Sequence, residues 1–150
     1  GNCCPLNDGA AALVIMSDVK AAQLGITPLA RIVATGVSAL SPEIMGLGPV
    51  EASRRALARA GMSIKDVDLV EINEAFAAQV IPSYQDLGID LDRLNVNGGA
   101  IAVGHPFGMT GARITSTLIN SLRFHDKTIG LETMCVGGGQ GMAMILERLS

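Results

Sequence analysis

Three short segments of this chain carry residue types that could do chemistry. They contain Asn73, His105 and Cys135, respectively. A cysteine thiolate beside an imidazole acts as a base or a nucleophile. An asparagine amide holds a water or polarises a carbonyl, and converging backbone N–H groups stabilise a developing anion. Such a set suits enolate or acyl chemistry next to a thioester.

Asn73 opens the first segment, Asn-Glu-Ala-Phe-Ala, directly after a predicted buried strand. Two interpretations stay open for its side chain. It could cap the helix that follows, or it could face a ligand at the end of the strand. Glu74 is interpreted as an anion in the first helical turn, where the helix dipole favours negative charge.

His105 lies between Gly104 and Pro106, in a glycine-rich stretch from 95 to 112 that we expect to lack regular structure. A buried histidine without a role in chemistry is the alternative. A loop restrained by glycine and proline favours a functional placement. The lysine of a Walker phosphate-binding loop does not follow, so nucleotide hydrolysis is disfavoured.

Cys135 ends a predicted strand and is followed by Gly137, Gly138 and Gly139. Most free cysteines are inert core residues, and that alternative stays open. A strand that ends against three glycines favours a different role, because the N–H groups of such a turn can converge on an anion. The segment therefore predicts a thiol beside an oxyanion hole.

A layered α/β domain with the element order β-α-β-α-β-α-β-β is expected to position these segments. The apolar pattern predicts strands at 10–16, 30–37, 67–72, 130–136 and 142–149. It predicts helices at 18–24, 50–60, 74–87 and 112–124, the last two of which both lie between the third and fourth strands and count as one in that order. The expected fold is a mixed five-stranded sheet with helices on both faces.

Composition restricts what the chain binds. Hydrophobic residues make up 49% and charged residues 17% of the 150, which favours a surface partly covered by partner protein. The net charge of −3 gives no sign of binding to nucleic acid or to an anionic membrane. No apolar run approaches the roughly 20 residues that span a bilayer.

The cysteines predict neither a disulfide framework nor a metal site. Cys3, Cys4 and Cys135 are odd in number, two of them are adjacent, and no C-x-x-C pair occurs. We expect a reducing, intracellular compartment, the cytoplasm.

All three segments resemble signatures of the thiolases, the family of acetyl-CoA acetyltransferase and 3-ketoacyl-CoA thiolase. Asn-Glu-Ala-Phe-Ala, Gly-His-Pro-x-Gly-x-x-Gly-Ala-Arg and Cys-x-Gly-Gly-Gly-Gln-Gly occur in that order at family-like spacing, and the resemblance covers essentially the whole chain. It implies a fold of two similar halves in five α/β layers, usually assembled as a homodimer or homotetramer. Residues 1–150 would form the C-terminal half of a longer protein, since the chain opens at Gly1 without a Met.

The resemblance implies a role for each catalytic candidate. His105 would activate a nucleophilic cysteine and, with a water held by Asn73, stabilise the enolate oxygen of the thioester. Cys135 would exchange the proton of the acetyl α-carbon or of the leaving group. The Gly137 N–H would help to form a second oxyanion hole.

The nucleophilic cysteine of the family belongs to the N-terminal half, outside this chain, so residues 1–150 alone are expected to have negligible turnover. Coenzyme A is implied as a substrate, with no permanently bound cofactor and no metal. Ala75 and Phe76 would line the channel for its pantetheine arm. Cys4 stands where the family's serine contacts the pantetheine, and neither Cys3 nor Cys4 is expected to replace the nucleophile.

The implied reaction is CoA-dependent cleavage of a 3-ketoacyl-CoA to acetyl-CoA and a shortened acyl-CoA, or the reverse Claisen condensation. Phe107, Met109 and Thr110 depart from the commonest fatty-acid thiolases and are more similar to actinobacterial thiolases of steroid side-chain degradation. A non-catalytic, thiolase-like assembly domain is the alternative. A ketoacyl synthase relative is disfavoured, because a second histidine would then stand at the position of Cys135.

Overall fold

The computed structural model describes all 150 residues and contains one mixed sheet of four strands. The strands are β1 (Ala30–Ala39), β2 (Leu69–Ile72), β3 (Ile129–Val136) and β4 (Gln140–Arg148). Their order in the sheet is β1-β4-β3-β2; β4 pairs antiparallel with β1 and β3, and β2 pairs parallel with β3. The α/β class and the mixed sheet are confirmed, whereas the prediction of five strands is wrong.

Five α-helices accompany the sheet. They are α1 (Asp18–Gln23), α2 (Gly48–Ala60), α3 (Ala77–Leu87), α4 (Ala100–Val103) and α5 (Phe107–Phe124), with short 3-10 turns at Pro42–Leu47, Ile64–Asp66 and Leu91–Arg93. None of the helices combines the length and the apolar character that a membrane span requires.

Side chains that alternate along β2 contribute to two hydrophobic clusters, one on each face of the sheet. Val70 and Ile72 belong to a large cluster that includes residues of α2 and α3. Leu69 points the other way and packs with Leu118 and Leu122 of α5. Since successive side chains of a strand face opposite sides, α2 and α3 cover one face of the sheet and α5 covers the other, as expected from the sequence.

Local sequence signals mark some of the helix ends. The Ser17 hydroxyl accepts a hydrogen bond from the Lys20 N–H at 3.1 Å and caps α1. Gly61 ends α2 in the left-handed conformation, at φ 66°. The predicted helices at 18–24 and 50–60 and the predicted strands at 30–37, 67–72, 130–136 and 142–149 are confirmed within a few residues.

The fifth predicted strand, at 10–16, does not form. No strand of the sheet pairs with it, and Val14 and Ile15 are 86% and 73% exposed. A strand satisfies its backbone N–H and C=O groups only in a ladder. Without a neighbouring strand, strand propensity therefore leaves this segment without regular structure and largely exposed.

Helix α5 begins at Phe107, five residues before the predicted start at Ala112 and inside the stretch expected to be irregular. Gly108 and Gly111 lower the intrinsic helix propensity of this turn. A long helix with a packed apolar face extends through such residues, because tertiary packing outweighs propensity. The Thr110 hydroxyl also donates to the Pro106 carbonyl at 3.0 Å and ties down the first turn.

Candidate active site

The three predicted segments lie at one edge of the sheet, where the parallel strands β2 and β3 end. Asn73 follows β2, and its N–H donates to the Thr133 carbonyl of β3 at 3.0 Å. Cys135 lies two residues further along β3. His105 precedes α5, and Arg113 of α5 reaches back to the Asn73 side chain. Ends of adjacent parallel strands, with a helix N-terminus above them, form the usual ligand-binding edge of an α/β sheet.

Asn73 does not cap a helix. Its side chain is fully buried, and α3 starts four residues later, after an extended Phe76. The side-chain Oδ1 accepts a hydrogen bond from Arg113 Nη2 at 3.3 Å. Its Nδ2 has no acceptor among the protein's own atoms. Of the two interpretations left open by the sequence, capping is wrong.

Glu74 is not a first-turn anion of α3, because the helix begins only at Ala77. Its Oε1 accepts from Asn95 Nδ2 at 2.9 Å, and its Oε2 accepts from the Ile101 N–H at 3.0 Å. A Cβ at Gly99 would collide with the Glu74 carboxylate. Glu74 therefore fastens the glycine-rich stretch, and with it His105, to the end of β2.

His105 has one nitrogen fixed by its own helix. Its Nδ1 lies 2.5 Å from Thr110 Oγ1, and the single Thr110 hydroxyl proton is donated to the Pro106 carbonyl. Thr110 Oγ1 must then accept, so His105 carries its proton on Nδ1 and leaves a lone pair on Nε2. Burial, reinforced by the nearby Arg113 cation, lowers the pKa of His105 below 6.5. At neutral pH this imidazole is an uncharged base.

Cys135 is buried near the end of β3. Burial raises the pKa of its thiol above 9.0, and the neighbouring Cys4 acts in the same direction, against a backbone hydrogen bond that lowers it. At neutral pH the side chain is therefore a protonated thiol, able to give a proton and to take it back when its environment changes.

The turn after Cys135 is built from glycines. Gly138 and Gly139 have φ of 91° and 93°, and a Cβ at Gly139 would meet the Leu40 carbonyl. Gly137 is exposed, and nothing lies within 4 Å of a Cβ placed on it. The backbone at Gly137 is thus open to a ligand, which is the property that its predicted role needs.

The residues expected to meet the pantetheine arm are neighbours. The Cys4 N–H donates to the Ala75 carbonyl at 3.1 Å, and Cys3 forms a β-bridge with Phe76. Phe76 is half exposed. The N-terminal residues thus run along the segment that follows β2, close to Cys135.

Sequence reasoning missed a buried charged cluster beneath the site: Glu71 on β2, Glu132 on β3 and Arg113 on α5. Burial raises the pKa of Glu71 to about 8 and that of Glu132 to about 7, outweighing the attraction of Arg113. Two signals were present: Arg113 is the last residue of the Gly-His-Pro signature, and Glu71 interrupts a strand that is otherwise apolar. The structure contains no group of three or more His, Cys, Asp or Glu side chains able to hold a metal ion.

Comparison with known proteins agrees with this arrangement. Residues 26–148 match the family described as "Thiolase, C-terminal domain". The chain is 53% identical to the acetyl-CoA acetyltransferase of Escherichia coli K12 over 150 residues, which are all of this chain and 38% of that protein. It is 53% identical to the 3-ketoacyl-CoA thiolase of Marinomonas sp. MWYL1, covering 99% of this chain and 39% of that protein.

A solved structure gives the same result in three dimensions. The crystal structure of the Bacillus anthracis acetyl-CoA acetyltransferase superimposes with a TM-score of 0.96 at 48% sequence identity. The match covers 99% of this chain and 38% of that one. The chain thus spans less than two fifths of the length of the relatives that it matches.

Proposed function

This chain belongs to the thiolase family, and we propose that it is the C-terminal catalytic half of a thiolase that cleaves a 3-ketoacyl-CoA with coenzyme A or runs the reverse condensation. The observation that carries the proposal is that Asn73 and Cys135 lie at the ends of the adjacent strands β2 and β3, while Arg113 contacts Asn73 and influences the pKa of His105. The nucleophilic cysteine comes from an N-terminal half.

His105 acts first as the general base. Its free Nε2 takes the proton of the nucleophilic thiol, and the thiolate attacks the 3-keto carbon of the substrate. The neutral imidazole assigned above is the form that this step requires. The N–H of Gly137 donates to the oxyanion that forms at the attacked carbonyl.

Cleavage of the bond between the α- and β-carbons leaves the enolate of acetyl-CoA. Its oxygen accepts hydrogen bonds from His105, now protonated, and from a water held by Asn73 Nδ2. The Cys135 thiol protonates the α-carbon and becomes a thiolate. That thiolate then takes the proton of an incoming coenzyme A thiol. The coenzyme A thiolate attacks the acyl-enzyme and expels the nucleophilic cysteine as a thiolate, which takes its proton back from His105.

Coenzyme A is a substrate of this proposal and no resident cofactor takes part. Ala75 and Phe76 line the path of the pantetheine arm, and Cys4 stands beside it. The half-exposed ring of Phe76 and the Cys4–Ala75 backbone contact support this placement.

The acyl side of the substrate is proposed from Phe107. This ring is 85% exposed and lies edge-on to His105, with centroids 5.1 Å apart. A large apolar side chain beside the base suits a bulky apolar acyl group, and a steroid side chain is the substrate class that we propose, with a fatty acyl chain as the alternative. We also propose a cytoplasmic homodimer or homotetramer, an assembly supported by the many exposed apolar side chains.

The test uses a restored enzyme, in which this chain replaces the matching 38% of the E. coli acetyl-CoA acetyltransferase. We expect CoA-dependent cleavage of acetoacetyl-CoA, and a loss of at least about 100-fold in kcat in both His105→Ala and Cys135→Ala, the scale of a lost acid or base. The matched controls His125→Ala and Cys3→Ser should keep the parent rate.

Residues 1–150 alone should give negligible turnover. Unchanged rates in both His105→Ala and Cys135→Ala would instead support the alternative of a non-catalytic assembly domain. Comparing acetoacetyl-CoA with a 3-ketoacyl-CoA that carries a steroid side chain, in parent and Phe107→Ala, decides between the two acyl classes.

A further inference from the structure

The charged cluster beneath the site is placed by strand alternation and by α5. Glu71 and Asn73 are two residues apart on β2, so their side chains share one face of the sheet. Glu132 is the register partner of Glu71 on β3, and α5 brings Arg113 onto the same face. Glu71 is 1% exposed and the Arg113 side chain 12%. Burying charge costs free energy, so a cluster kept beside a reactive edge points to a function.

Arg113 makes two contacts with different nitrogens. Its Nη2 donates to Asn73 Oδ1 at 3.3 Å, and its Nη1 lies 3.7 Å from Glu71 Oε2. A guanidinium carries only donors. It can face the oxygen of the Asn73 carboxamide but never the NH2 group, so it fixes which end of that side chain points toward α5.

This contact also determines where the NH2 group of the Asn73 carboxamide points. With Oδ1 held by Arg113, the Asn73 Nδ2 is turned away from α5, and no protein acceptor meets it although it is buried. Buried donors are almost always satisfied. The proposed function gives this donor an acceptor, the water or oxygen that stabilises the enolate.

We propose that Arg113 is a positioning residue of the active site: anchored against Glu71, it orients the Asn73 carboxamide so that Nδ2 donates into the cleft. This inference rests on the proposed function and adds a residue to it. Arg113 touches no reacting atom and acts through Asn73. Without it the carboxamide is free to turn over and present its oxygen, which repels an enolate.

Glu71 lies against the guanidinium of Arg113, and Glu132 contacts α5 through Thr115. The Thr115 hydroxyl has one proton and two neighbouring acceptors, the Gly111 carbonyl at 2.8 Å and Glu132 Oε2 at 3.0 Å. Both contacts are satisfied together when Glu132 is protonated and donates to Thr115. Glu71 faces Arg113 Nη1 with its Oε2 at 3.7 Å, and its raised pKa of about 8 leaves this carboxyl protonated at neutral pH.

A double-mutant cycle in the restored enzyme tests the proposal. We expect Arg113→Gln to lower kcat for acetoacetyl-CoA cleavage about tenfold or more, less than the roughly 100–1000-fold of a lost oxyanion donor, with KM unchanged. In an Asn73→Ala background, the same substitution should change kcat by less than about threefold, because its target is gone. Arg113→Lys keeps the charge but has one nitrogen for two partners, so its kcat should lie between those of the parent and of Arg113→Gln.

Arg123→Gln removes a charge from the exposed face of the same helix and serves as the control, with parent kinetics expected. Equal losses from Arg113→Gln in both backgrounds would overturn the proposal, as would parent kcat in Arg113→Gln. If Arg113→Gln does not fold, the double-mutant cycle is measured with Arg113→Lys instead. Equal losses of kcat in both backgrounds would again overturn the proposal. The proposed function is judged separately by His105→Ala and Cys135→Ala, so either claim can fail alone.

Discussion

The Thr110 hydroxyl decides which nitrogen of His105 is free to accept a proton. It donates to the Pro106 carbonyl and accepts from His105 Nδ1. Thr110→Val keeps the shape of the side chain but removes that acceptor. We expect kcat of the restored enzyme to fall about tenfold or more, because the imidazole loses the contact that selects its tautomer and orientation.

Thr110→Ser is the matched control, since it keeps the hydroxyl and loses one methyl group. Steady-state cleavage of acetoacetyl-CoA measures both variants. Equal activity of the valine variant and the parent enzyme would show that the Thr110 contact does not set the working form of His105.

The candidate site residues could be named from the sequence, but the contacts between them could not. His105 and Cys135 stand beside glycines, and Asn73 directly follows a predicted buried strand, so the candidate chemistry of all three can be named without a structure. The contact of Arg113 with Asn73 joins residues 40 positions apart. Such pairs depend on how α5 lies across β2, and no local pattern encodes that.

At the scale of elements, β2 and β3 place Glu71 and Glu132 side by side under α5. Burial raises the pKa of both carboxyls, to about 8 and about 7. The folded state therefore binds these protons more tightly than the unfolded state. The stability they contribute is fully present below the ordinary pKa of 4.5 and is lost as pH rises from there through the folded pKa values of about 7 and about 8. We expect the melting temperature of the restored enzyme to decrease as pH rises from about 5 to about 8.

Glu132→Gln removes one of these titrations and keeps a side chain of the same size. Its melting temperature should fall less over the same pH range, by a difference of at least about 2 °C. Glu51→Gln, at an exposed position of α2, should follow the parent. Identical pH profiles for Glu132→Gln and the parent would contradict the assignment of a buried, proton-binding carboxyl.

The glycine turn between β3 and β4 gives a prediction about backbone conformation. Gly139 has φ 93° and a Cβ there would meet the Leu40 carbonyl, so Gly139→Ala should destabilise the restored enzyme by about 1–3 kcal/mol. Gly108, in the first turn of α5, has nothing within 4 Å of its Cβ position. Gly108→Ala should therefore leave stability unchanged or raise it by up to about 1 kcal/mol.

Denaturant unfolding of the two variants measures both effects. A Gly139→Ala variant as stable as the parent would mean that the turn does not hold the conformation described here. A loss of stability in Gly139→Ala together with a gain in Gly108→Ala would distinguish the strained turn from a helical turn that only tolerates glycine.

Sequence patterns predicted the helices and strands correctly where the stabilising residue or neighbouring strand lies within the chain. Ser17 and Gly61 mark their helix ends locally, and four strands found neighbours. The segment 10–16 has the same apolar character but no strand to pair with. Its failure shows that strand formation depends on a neighbour as well as on propensity.

For the whole molecule, the chain covers 38% of the E. coli relative and leaves many large apolar side chains exposed. Val14, Ile15, Phe107 and Phe124 are among them. Exposed apolar surface of this extent is typical of protein interfaces. The high apolar fraction of the sequence predicted it, whereas the identity of the covering surface is not encoded within 150 residues.

The central claim is that the thiol of Cys135 and the imidazole of His105 serve one bound thioester. A crystal structure of the restored enzyme with acetyl-CoA, its nucleophilic cysteine changed to alanine, measures this directly. We expect Cys135 Sγ about 3–3.5 Å from the acetyl α-carbon. His105 Nε2 should lie within about 3.2 Å of the thioester oxygen. A thioester bound away from this edge of the sheet, or reached by only one of the two side chains, would contradict the account.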